Sequence, residues 1–129
     1  MNRQLIDFLK TAKGLMDGGE YAEAAETLES ALECNSPAEI AVEAHFQTAF
    51  CRFKLAEYAE AEKSLETALS ISEGWAYGDK KHLYELLRTV YIDQPDYKKL
   101  AQLCRKLLSR TFQSNLYTKN VPAGKLPYP

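Results

Sequence analysis

Two histidines, His45 and His82, and three cysteines, Cys34, Cys51 and Cys104, are the side chains of this 129-residue chain most suited to metal binding, proton transfer or nucleophilic attack. An imidazole moves protons near neutral pH or ligates a metal, and a thiolate attacks carbon or holds zinc. Their spacing supports neither use. The histidines stand 37 residues apart with no carboxylate or nucleophile pattern beside them, and the cysteines, odd in number, form no Cys-x-x-Cys. Zinc sites and disulfide frameworks need close spacing or even counts. The expectation is two packed or surface imidazoles and three free, mostly buried thiols. The run GLMDGGE, with Gly18 and Gly19, lacks the preceding strand and the Gly-Lys-Ser/Thr of a phosphate loop. No metal, no cofactor and no catalytic residues are expected, so the chain does not read as an enzyme.

What the chain does carry is repetition. GGEYAEAAETLESAL from Gly18 and LAEYAEAEKSLETAL from Leu55 agree at nine of fifteen positions. In the first copy Tyr21, Ala24, Ala25, Leu28, Ala31 and Leu32 recur at helical steps, and in the second Tyr58, Ala61, Leu65, Ala68 and Leu69 do the same. Glu23, Glu26, Glu29 and Glu33, and then Glu60, Glu62, Lys63 and Glu66, keep the opposite faces in water. A further helical stripe precedes each copy: Leu5, Phe8, Ala12 and Leu15, then Ala41, His45, Ala49 and the stem of Arg52. Gly18-Gly19 suits a helix C-cap, and Ser36-Pro37 suits the cap and first turn of the next helix. The unit is therefore an αα-hairpin used more than once. A weaker third copy sets Tyr84, Leu87 and Tyr91 on one stripe, breaks at Gln94-Pro95 and resumes with Tyr97, Leu100, Ala101, Cys104, Leu107 and Leu108. Turns are expected near Gly18-Gly19, Ala56-Glu57 and Pro95-Asp96.

With 46% apolar and 26% charged residues the chain has the composition of one soluble globular domain. It has no apolar run of the roughly 18 to 20 residues that spans a bilayer, and its start lacks the pattern of a secretory signal. No membrane association is expected, and the expected location is cytoplasmic. Residues 1–73 hold 14 Asp/Glu against 6 Lys/Arg, net −8, whereas residues 74–129 hold 4 against 10, net +6. Lys98, Lys99, Arg105, Lys106 and Arg110 are expected on the solvated outer face of one helix, without interleaved surface aromatics. No nucleic-acid partner is expected at a pI near 5.7.

The paired helices resemble the tetratricopeptide repeat (TPR) family, whose unit of about 34 residues has a first helix patterned Trp-x2-Leu-Gly-x2-Tyr and a second with Ala, Leu or an aromatic, and Ala at fixed offsets. Tyr58, Ala61, Leu65 and Ala68, and Tyr21, Ala24, Leu28 and Ala31, fit the second-helix pattern. The first helices depart from it: Phe8, Thr11, Ala12 and Leu15; His45, Thr48, Ala49 and Arg52; Tyr84, Leu87, Arg88 and Tyr91, where Arg88 takes the place of the glycine. The resemblance implies an all-α fold, a right-handed superhelical solenoid of three TPR-like αα-hairpins spanning residues 1–110, with repeats at 5–36, 40–72 and 81–110. A non-helical, extended tail is expected over 111–129, with Phe112, Leu116, Tyr117, Val121, Leu126 and Tyr128 as apolar handles and three prolines.

The same resemblance implies a concave wall built from the first helices. On that wall would stand Leu9, Lys13 and Met16, then Glu43, Phe46, Gln47, Phe50 and Phe53, then His82 and Glu85, as a peptide-binding groove. Phe46, Phe50 and Phe53 lie on one stripe, either facing this groove or filling the core between hairpins. The family members that clamp a C-terminal carboxylate use Lys, Asn and Arg where this chain has Leu9, Lys13, Gln47, His82 and Leu86, so an apolar segment is the better expected ligand. Trp75 and Tyr77, between Gly74 and Gly78, either anchor a partner or, the preferred reading, plug the gap between repeats. Two functions follow: a non-catalytic interaction module, adaptor or secretion-type chaperone that binds a segment of another protein, or a scaffold that forms a homo-oligomer through charge-opposed ends or tail exchange.

Overall fold

The structure is a computed structural model; it describes residues 3–119, and side chains as far as residue 108. Those residues form six helices and no strand: α1 (Arg3–Asp17), α2 (Tyr21–Leu32), α3 (Ala38–Lys54), α4 (Tyr58–Ile71), α5 (Tyr77–Asp93) and α6 (Tyr97–Lys119). The chain divides into two units, Met1–Gln94 and Pro95–Pro129.

In the first unit each helix packs on the next in sequence, α1 on α2 through to α4 on α5, and α3 also touches α5. The repeated residues form the core. Ala12, Ala24 and Leu28 are fully buried, and so are Ala49, Ala61 and Leu65, each 37 positions further along. Alanine at these points leaves no bulk to hold helices apart, and the leucines contribute roughly 1.5–3 kcal/mol each by burial.

The turns repeat as well. In the first, Gly19 N–H donates to Met16 C=O at 3.0 Å and Glu20 N–H to Leu15 C=O at 2.8 Å; in the second, Ala56 N–H donates to Phe53 C=O at 3.0 Å and Glu57 N–H to Arg52 C=O at 2.8 Å. Both are Schellman closures, which need a left-handed residue at the corner. Gly19 takes φ 78° and Ala56 φ 60°. Pro95 stands at the same place after α5, but its ring fixes φ near −65° and it has no N–H, so that link cannot close in the same way. Asp96 caps α6 instead, accepting the Lys99 N–H at 3.1 Å.

Several expectations are corrected. α6 runs on to Lys119, so the non-helical tail expected from residue 111 does not begin there. The reason is local: no proline or glycine occurs between Pro95 and Pro122 to break the helix. Val121, Leu126 and Tyr128, and the side chains of Phe112, Leu116 and Tyr117, lie outside what the structure describes. α5 starts at Tyr77 rather than 81, taking Gly78 into its first turn. Ser36 does not cap α3; Pro37 is its N-cap residue, with its carbonyl accepting Ile40 and Ala41 N–H. Cys51 is buried, Cys34 half-buried and Cys104 exposed.

On α3 the buried residues are Val42, Ala44, Thr48, Ala49 and Cys51, whereas Ala41, His45 and Arg52 of the expected stripe are half-buried. α3 packs against α2, α4 and α5, so more than one face is covered and a single stripe cannot describe it.

Candidate functional site

α3 carries Phe46, Phe50 and Phe53 at steps of four and three, and all three rings are half-buried. Each meets a ring from another element. Phe46 lies edge-on to the imidazole of His82 on α5, with centroids 4.7 Å apart. Phe50 meets Tyr21, the first residue of α2, at 6.1 Å, and Phe53 meets Tyr58, the first residue of α4, at 6.0 Å. Such edge-to-face pairs contribute about 0.5–1.5 kcal/mol beyond their buried area. The Lys54 ammonium stands 5.4 Å from the centre of the Phe50 ring. The phenylalanines therefore help join α3 to its neighbours while leaving part of each ring accessible.

A polar edge runs beside Phe46. Gln47 Nε2 donates to Glu43 Oε1 at 3.2 Å, and Glu43 Oε2 lies 3.9 Å from His82 Nε2. That distance is an ion-pair contact when the imidazole is protonated, and too long for a hydrogen bond. His82 Nε2 is itself enclosed and has no hydrogen-bond partner, although the rest of the side chain reaches solvent. Glu85 is exposed and pairs with Lys81 at 3.7 Å one turn away.

On α1, Leu9 and Met16 are half-buried and pack against the cluster of Ala12, Ala24, Ala25, Leu28 and Cys51, while Lys13 is exposed. Of the expected groove residues, then, Glu43, Phe46, Gln47 and His82 come together. Phe50 and Phe53 continue the row along α3, and Leu9 and Met16 spend part of their surface on the core.

Two features carry no signal in the sequence pattern. Arg52, expected to contribute an aliphatic stem, spreads its guanidinium between Glu29 of α2 at 2.6 Å and Glu57 before α4 at 3.0 Å. These hydrogen bonds raise its pKa further and hold it charged. Lys80, which looks solvent-bound in GDKK, is only 2% exposed and donates to the carbonyls of Ser72 and Glu73, just past α4, at 3.1 and 3.2 Å. A cation there satisfies the open carbonyls of a helix end and faces the negative pole of its dipole. No periodicity marks either residue, because each acts across elements. Trp75 is half-buried and lines an open depression of about 400 Å³ with Glu39 and Asp79.

Burial alone lowers the His45 pKa. Burial also pushes the Cys51 thiol up to about 11, against a smaller downward pull from Arg52. Among the described residues no three His, Cys, Asp or Glu side chains gather as a metal site, and no helix is long and apolar enough to cross a membrane.

No protein-family model matches the chain, and no curated protein matches it. A solved structure, the globular C-terminal domain of LpoP from P. aeruginosa, is similar at a TM-score of 0.67 and 24% identity, over 82% of this chain and 96% of that one. At that identity the likeness concerns the fold: this chain has an all-helical arrangement similar to that of the LpoP domain.

Proposed function

We propose that the chain is a non-catalytic protein-protein interaction module, an αα-hairpin solenoid of TPR type acting as an adaptor or secretion-type chaperone. Its α1, α3 and α5 wall binds an apolar segment of another protein. The observation that supports this reading is the row Phe46, Phe50 and Phe53, three aromatic rings on one helix that all keep part of their surface open beside the polar edge of Glu43, Gln47 and His82. Large rings next to oriented polar groups are the composition of a peptide-binding surface, where the rings supply area and the polar groups set register.

The test is affinity capture with the intact protein, compared with Phe46→Ala and Phe50→Ala. Binding is expected to weaken by about 1–3 kcal/mol, roughly five- to a hundred-and-fiftyfold, while the melting transition stays cooperative. Unchanged capture by both variants, with stability lowered by about 3 kcal/mol or more, would assign the rings to the core alone.

A second reading, self-assembly, is favoured by the charge distribution. Met1–Gln94 holds 17 Asp/Glu against 9 Lys/Arg, net −8, and Pro95–Pro129 holds 1 against 7, net +6.

A further inference from the structure

The second unit offers a surface that the proposed groove does not use. Between Tyr97 and Lys119, α6 carries six Lys/Arg and no Asp/Glu. The two most exposed large apolar side chains among the described residues, Tyr97 at 70% and Leu108 at 71%, both stand on this helix. They belong to one line. Tyr97, Ala101, Cys104 and Leu108 are all exposed and follow one another at steps of four, three and four, the spacing of the seam of a coiled coil. The adjacent apolar row, Leu100, Leu103 and Leu107, is half-buried or buried. What remains open is a strip one side chain wide. Lys98 and Arg105, both exposed, each follow a strip residue directly, at the flanking positions that select a coiled-coil partner by charge.

We propose that this strip docks an amphipathic helix of another protein that bears carboxylates beside its own apolar seam. The chemistry singles out that occupant. A membrane surface takes up a broad apolar face, and here only a narrow one is free. A second α6 would set cations against cations with no carboxylate in either helix to offset them. The first unit has the charge, but its row of Phe46, Phe50 and Phe53 is half-covered by His82, Tyr21 and Tyr58 of the same unit, and its exposed large apolar residues, Leu55, Ile71, Tyr77 and Ile92, stand singly at helix ends. This proposal is independent of the groove on α1, α3 and α5.

The test uses the full chain and a labelled synthetic helix of about three heptads with Leu along the seam and Glu at the flanks, beside a twin with Lys in place of Glu. Fluorescence anisotropy is expected to show the Glu peptide binding ~10-fold or more tighter than its twin, with affinity falling as salt rises from roughly 50 to 500 mM. Leu108→Asp should weaken binding of the Glu peptide by ~10-fold, and the double change Lys98→Glu and Arg105→Glu should reverse the preference between the twins. Circular dichroism checks that both variants keep their helix content. Equal affinity for the twins, or insensitivity to both variants, overturns the proposal. So does capture by phosphatidylglycerol vesicles without discrimination between the peptides, or a doubled mass of the peptide-free protein that Leu108→Asp abolishes.

Discussion

Thiol chemistry separates three residues of one type. Nucleophilic attack requires thiolate and access, and Cys51 has neither: it is fully buried and its pKa is pushed up to about 11. Cys104 is exposed and Cys34 intermediate. Labelling of the native protein at mildly alkaline pH, read by mass spectrometry of peptides, is expected to modify Cys104 first, Cys34 more slowly, and Cys51 only after denaturation. Early modification of Cys51 would mean that the α1–α3 core opens readily. His45 gives a pH signature. Its folded pKa lies below the unfolded 6.5, so between those values the unfolded chain binds more protons and stability rises with pH. The contribution is complete above about pH 6.5 and is lost as pH falls through the folded pKa. Urea midpoints of the native protein and of His45→Gln, measured from roughly pH 5 to 8, should therefore diverge, with the flatter curve for the variant; parallel curves would exclude His45 as the source.

At the scale of the element, the two Schellman turns form a natural comparison. Gly19 and Ala56 hold the same left-handed corner, 37 positions apart, and only alanine is strained there. Ala56→Gly relieves a Cβ clash of about 1–2 kcal/mol, offset in part by the greater freedom of glycine in the unfolded chain. A net gain of about 0.5–1 kcal/mol is expected from chemical denaturation. Gly19→Ala should lose a similar amount despite open space around its Cβ position, because the strain lies in the backbone. Equal stabilities for all three proteins would show that the corner is not under strain.

At the scale of the molecule, the two units carry opposite net charge, −8 against +6, because 17 of the 18 Asp/Glu lie in the first while the Lys/Arg are shared 9 to 7. Opposed charges on separate copies attract over a screening length of about 30 Å at 10 mM salt and about 3 Å at 1 M. If self-assembly is electrostatic, light scattering should report a mass that rises with protein concentration in low salt and falls to the monomer in high salt. The same mass in both removes charge as the cause, and an oligomer surviving in high salt would require an apolar interface.

Local physical chemistry determined much of the fold. The Ala and Leu of the repeated helices, the corners at Gly18-Gly19 and Ala56-Glu57, and the break at Gln94-Pro95 follow from helical period, chain reversal and the missing N–H of proline. Each of those signals lies within a few residues. The candidate site was only partly legible, since the Phe row could be seen at its four- and three-residue spacing but not whether its rings were covered. That depended on Tyr21, Tyr58 and His82, which arrive from three other helices. Tertiary structure alone decided that Lys80 is buried against the carbonyls that follow α4, that Arg52 joins Glu29 to Glu57, and that Cys104 is exposed where Cys51 is buried. A lysine, an arginine and a cysteine announce a capacity for hydrogen bonds, charge or reaction, but their use is set by groups distant in sequence, whose positions no local pattern encodes.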